Sequence, residues 1–176
     1  MEIRVANQKD ENAVNEFYKK VIDVMHYNHF NFPRWDYEVY PSKETIANAI
    51  SKGEQFICLD KDVIVGAFVL NKDPEGEYQK YGDWTIHLDD GQYYVIHTFA
   101  VDPDYTRNGV AHIMINYIKQ KAMDEYIPSI RCDIMGDNRP AISLFERNCF
   151  KYVGEGTLGR EYIIGVKDFK LYEYNL

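Results

Sequence analysis

A chain of 176 residues with 45% hydrophobic side chains is long enough to bury one core and short for two, so a single domain over residues 1–176 is expected. Its formal charge of −8 excludes the basic face that nucleic-acid binding normally needs, and suits either plain solubility or the attraction of a cationic amine. Three widely spaced cysteines without metal-ligand spacing, no signal-peptide core in the opening MEIRVANQKD, and a longest apolar run of only residues 63–70 together predict a cytoplasmic protein with no metal and no membrane span.

Residues 2–6 alternate like a first strand. Asn7 or Asp10 then offers a cap for a helix in which Ala13, Val14, Phe17, Tyr18, Val21 and Met25 keep helical spacing. A shorter helix is predicted over 42–52, with Ser42 as N-cap, Glu44 in the first turn, and Thr45 where a capping box would carry Glu or Gln. Residues 56–59 and 63–70, joined by Asp60, Lys61 and Asp62, read as an antiparallel hairpin. A strand over 93–101 passes through a turn into a helix from Gly109 to about Met123, whose apolar face is Val110, Ile113, Met114, Tyr117 and Ile118. The next strand, 127–134, is parallel to that one because a helix lies between them, with a right-handed crossover. A last helix over 138–148 and strands over 150–154 and 168–174 complete a mixed sheet in α/β order.

Two polar-aromatic segments, 26–41 and 71–92, stand outside this skeleton. Connections of that length in a compact domain are often functional. Residues 84–88 alternatively read as an extra strand.

The junction at residues 107–112 has the makings of a phosphate cradle. The first amides of a helix have no intrahelical acceptor, and the aligned peptide dipoles place about half a positive charge there. Gly109 lets a ligand approach the backbone, Ala111 is small, and Arg107 and Asn108 add a cation and a polar side chain.

Taken with the run DIMGDNRPAISLFERNCFKYVG from Asp133 to Gly154, this junction resembles the GNAT acetyltransferase superfamily. The family pattern runs from an apolar-x-Val-x-Pro strand end through Arg/Gln-x-x-Gly-x-Gly/Ala to Asn-x-x-Ala-x-x-Leu-Tyr-x-x-x-Gly-Phe. Val101 and Pro103, Gly109 and Ala111, and Asn138, Ala141, Leu144 and Phe150 match it. Three positions depart: Thr106 stands at the Arg/Gln position with Arg107 one place later, Phe145 replaces the tyrosine many members use as general acid, and Cys149 replaces the glycine before the final aromatic.

The resemblance implies an α/β (α+β) fold with a mixed, mostly antiparallel central sheet of about seven strands, flanked by helices and splayed between the fourth and fifth strands. It implies acetyl-CoA as cosubstrate and direct transfer to a primary amine of a small molecule or peptide. Backbone groups of Phe99, Ala100 and Val101 would bond the pantetheine arm, one N–H polarising the thioester carbonyl. Arg107, Asn108, Gly109, Val110, Ala111 and His112 would surround the pyrophosphate, with Asn138 beside the arm and Phe145 against it.

For the base, His97 lies where many members carry glutamate, and imidazole titrates near neutrality. The other reading of His97 is a core histidine bonded to backbone; Asp133 is the runner-up and His87 less favoured. With Phe145 unable to give a proton, the acid falls to Tyr152, Tyr117 or a water chain. Trp35, Tyr37, Tyr81 and Trp84 stand as substrate-pocket residues or as packing over the core. Beside the acetyltransferase stands a catalytically weak or inactive CoA-binding, sensing module on the same fold, and a homodimer stays open.

Overall fold

The computed structural model describes residues 1–27, 35–160 and 168–176. Residues 28–34, within the first polar-aromatic segment, lie outside the described residues. The elements run β1 (Glu2–Val5), α1 (Glu11–Tyr27), α2 (Lys43–Ser51), β2 (Gln55–Asp60), β3 (Val63–Asn71), α3 (Tyr78–Tyr81), β4 (Tyr94–Val101), α4 (Val110–Asp124), β5 (Ser129–Met135), α5 (Arg139–Arg147), β6 (Lys151–Gly156) and β7 (Phe169–Asn175). Seven strands form one sheet in the order β1-β2-β3-β4-β5-β7-β6. The pairs β1–β2, β2–β3, β5–β7 and β6–β7 are antiparallel. β4 and β5 are parallel, through Tyr94↔Ile130, Val95↔Arg131 and Ile96↔Cys132, and each strand continues past its last paired residue. The mixed, mostly antiparallel sheet of seven strands is as expected.

By contact density the chain divides into two compact units, Met1–Leu70 with His97–Tyr117, and Asn71–Ile96 with Ile118–Leu176. The division falls inside β4 and inside α4.

In the first unit Asn7 caps a 3-10 turn, Gln8–Asp10, that runs directly into α1. Its side chain accepts from the Lys9 N–H at 3.0 Å, while the Asp10 carboxylate accepts from the Asn7 N–H at 2.8 Å, so both candidate caps act together. Ser42 caps α2 by accepting from Thr45 N–H at 3.2 Å. Phe56 and Phe68 stack with centroids 5.1 Å apart, Phe99 lies 6.1 Å from Phe68, and Tyr117 of α4 tilts against the first two. Gly66 lets α4 lie close on β3, because a Cβ there would come 2.4 Å from Met114 Sδ and 3.3 Å from the Ala100 carbonyl. The buried face of α4 centres between Met114 and Ile118. Ile113 therefore turns outward, 39% exposed, and Ile115 is buried instead, which corrects the expected face.

In the second unit β5 alternates. Ile130, Cys132 and Ile134 are buried apolar side chains, while Ser129, Arg131 and Asp133 share the other side. Phe145 of α5 meets Phe150 edge-on at 5.0 Å, and Phe150 tilts against Tyr174. Residues 84–88 are not a strand; the second polar-aromatic segment instead forms the short α3 and a loop tied down by its side chains. Among the described residues no helix is long and apolar enough to cross a membrane, and no three His, Cys, Asp or Glu side chains group as metal ligands.

Candidate active site

β4 is buried along most of its length, and its end is fixed before the chain turns outward. The Asp102 carboxylate, almost fully buried, accepts from Lys20 Nζ at 2.7 and 2.8 Å and from the Asp104 N–H at 2.9 Å, while its own N–H donates to Val65 O at 2.9 Å. These bonds to Asp102 and then Asp104 raise the Lys20 ammonium above its ordinary value. Thr106 closes the turn by donating to Pro103 O at 3.1 Å.

The next residues are exposed. Arg107 and Gly109 both have left-handed backbones, with φ of 66° and 78°, and Asn108 stands between them. The first α4 bond is Ile113 N–H to Gly109 O at 3.0 Å, so the helix itself offers no acceptor to the amides of Val110 and Ala111. A Cβ at Gly109 would meet no atom within 4 Å, which leaves open ground at Gly109. This donor set and that ground fit a pyrophosphate. Ala111 is half-buried, His112 exposed, and Val110 anchors the turn in the core.

His97, Phe99, Ala100 and Val101 lie on β4 just before this turn. His97 is 6% exposed and Ala100 buried, whereas Phe99 and Val101 are half-buried. Thr98 between them has φ of 45°. Trp35 is buried with its ring 6.0 Å from Tyr18, and its carbonyl lies 3.2 Å from His26 Nε2. Tyr37, half-buried, donates to Asn15 Oδ1 at 2.9 Å, and burial raises its phenol.

In the second unit Asp133 is held on both oxygens. Arg160 donates to them at 2.8 and 3.0 Å and Tyr78 at 2.6 Å. Arg160 also donates to Glu75 O at 2.8 Å and Pro74 O at 3.0 Å. Burial, then the Asp133 charge, pushes the Tyr78 phenol well above its ordinary 10. Trp84 is buried, stacks on Tyr78 at 5.7 Å and donates to Tyr78 O at 3.1 Å. The fully buried Arg131 guanidinium lies 3.9 Å from the ring centres of both Trp84 and Tyr93. Tyr81, half-exposed, has its phenol lowered by the Thr157 hydroxyl and by Lys80. Asn138 caps α5 by accepting from Ala141 N–H at 3.2 Å, Phe145 is buried, and Tyr152 is 50% exposed against Tyr172.

Trp35 and Trp84, read as pocket residues or packing, are buried here; Tyr37 and Tyr81 are partly exposed. Sequence reasoning missed Arg131 and Arg160. The alternation Ser129-Ile130-Arg131-Cys132-Asp133 was the available signal, but a polar side of a strand ordinarily reads as a solvated one.

Residues 22–149, well over half of the chain, match the acetyltransferase (GNAT) family. Among curated proteins none matches the chain in sequence. Solved structures agree in fold: a GNAT-family acetyltransferase from Streptococcus agalactiae has a TM-score of 0.79 at 14% identity, covering 99% of this chain and 95% of its own. One from Listeria monocytogenes has 0.76 at 17%, covering 99% and 94%. The ribosomal-protein-S18-alanine N-acetyltransferase from Escherichia coli has 0.67 at 16%, covering 99% and 92%. With the family match spanning β4, the turn at Gly109 and α5, the chain belongs to the acetyltransferase (GNAT) family and is an acyltransferase.

Proposed function

We propose that the chain moves an acetyl group from acetyl-CoA to a primary amine of a small molecule or peptide, by direct transfer with both bound. The observation that carries this reading is the exposed turn from Arg107 to Gly109, with its helix-start amides and open ground at Gly109, at the end of the buried strand bearing His97. Arg107, Asn108 and the amides of Gly109, Val110, Ala111 and His112 hold the pyrophosphate, and the backbone of Phe99, Ala100 and Val101 orients the arm. When bound, acetyl-CoA supplies an activated acetyl thioester. His97 accepts the ammonium proton so that the amine attacks as a neutral nucleophile. Asp133 is a weaker choice, because both of its oxygens already accept hydrogen bonds. Tyr152, half-exposed, is the proton donor to the leaving thiolate. Tyr37 and Tyr81 are the partly exposed aromatics for acceptor contact. All three cysteines are free thiols, which supports work in a reducing cytoplasm.

The test is thiol release from acetyl-CoA across a panel of primary amines, with isothermal titration of acetyl-CoA into wild type and Gly109→Trp. Amine-dependent release, lost in His97→Ala, together with binding lost in a folded Gly109→Trp, is expected. Release no faster than the uncatalysed rate with every amine overturns the reading. Binding without turnover supports the second reading, a CoA-binding module, which the buried Phe145 at the usual acid position favours.

A further inference from the structure

Thr98 sits in the middle of β4 with φ of 45°, a left-handed conformation in which a β-branched residue is a true outlier. Such backbone persists only where its surroundings impose it. Here the imposing group comes from α1. Tyr18, fully buried, donates its hydroxyl hydrogen to the Thr98 carbonyl at 2.9 Å, with Thr98 Oγ1 at 3.2 Å.

The direction of that bond is fixed from β2. The Gln55 amide nitrogen lies 3.1 Å from the Phe56 and Phe68 carbonyls and 3.4 Å from the Tyr18 hydroxyl. Two carbonyls facing one end of the amide require nitrogen there, so the Tyr18 hydroxyl has no acceptor on Gln55 and its own hydrogen goes to Thr98. Burial pushes the Tyr18 phenol up to about 12, which keeps it protonated and donating across neutral pH.

We propose that Tyr18 is a positioning residue for acetyl transfer, its bond to the Thr98 carbonyl holding the kink in β4 that aims His97 and the Thr98–Phe99 peptide. A one-residue kink in a strand re-aims its neighbours, and His97 directly precedes it. Peptide planarity makes the Thr98 carbonyl and the Phe99 N–H point opposite ways, so anchoring one toward α1 sets the other. This role rests on the reading of His97 and β4 given above.

Tyr18→Phe deletes only the hydroxyl. We expect kcat to fall on the order of tenfold to a hundredfold, as misaimed catalytic groups do, with KM for acetyl-CoA little changed. The base limb of the kcat pH profile shifts with it. Glycine adopts φ near 45° without penalty, so adding Thr98→Gly restores part of both kcat and melting temperature; a hydroxyl that only adds stability gains nothing from a glycine placed in a strand. If wild type turns over and a folded Tyr18→Phe keeps its kcat, this role fails alone. Should Tyr18→Phe be too unstable to assay, the melting-temperature half of the cycle decides, and a double variant less stable than Tyr18→Phe overturns the proposal. Wild type inactive with every amine removes the underlying reading and this role together.

Discussion

Asp133 and Arg160 are each about nine-tenths buried, and their pairing makes both tolerable. Bidentate geometry with the Tyr78 hydroxyl as a third donor satisfies the carboxylate, while Glu75 and Pro74 carbonyls take two more guanidinium hydrogens. Removing one partner leaves a buried charge uncompensated, a larger loss than removing both. Asp133→Asn is therefore expected to lower unfolding stability by about 3 kcal/mol. Asp133→Asn combined with Arg160→Met recovers much of that in urea unfolding, and equal destabilisation in the single and double variants refutes the account. Turnover per folded molecule separates this structural role from catalysis: a base at Asp133 would leave Asp133→Asn inactive however stable it was made.

The connection from Asn71 to Gln92 acts as an element although it contains only one helical turn. Tyr78 bonds Asp133, Trp84 and Tyr93 enclose Arg131, and the Thr85 N–H donates to Glu173 Oε1 at 3.0 Å. Arg131 Nε and Nη1 have no hydrogen-bond acceptor among the described residues; Nη2 donates to Ile86 O at 2.9 Å, and the two ring faces cover the rest of the buried guanidinium. Trp84→Ala removes one face and opens a cavity, and is expected to cost about 3–5 kcal/mol in chemical unfolding. Trp84→Phe keeps a ring and loses much less, and equal losses in the two variants would show that Arg131 does not depend on the aromatic face. This explains the limit of what sequence carried. Strands and helices were legible because their apolar periods are local, and the caps at Asn7 and Ser42 because capping chemistry is local too. The turn at Gly109 was legible for the same reason. The buried arginines, and the burial of Trp84 against one of them, depend on partners 27 to 86 residues away, which no local pattern records.

At the scale of the whole molecule, charge sets a conflict that the cradle must resolve. A formal charge of −8 repels a polyanion such as CoA at long range, while on the function proposed above Arg107 and the α4 amides attract its phosphates at contact. Salt weakens the two unequally, because the screening length falls from about 30 Å at 0.01 M to about 10 Å at 0.1 M, and only contacts shorter than that survive. In wild type the lost repulsion and the lost attraction are expected to offset each other, leaving affinity little changed with salt. Arg107→Gln removes the attractive cation and keeps the repulsion. Its affinity for CoA is expected to be about fivefold weaker than wild type at low salt, the equivalent of about 1 kcal/mol, and to rise as salt is added. Isothermal titration of CoA over a salt series measures both slopes. Parallel slopes for wild type and Arg107→Gln would mean that Arg107 does not face the phosphates, and that the amides of the α4 start alone hold them against the field of the protein.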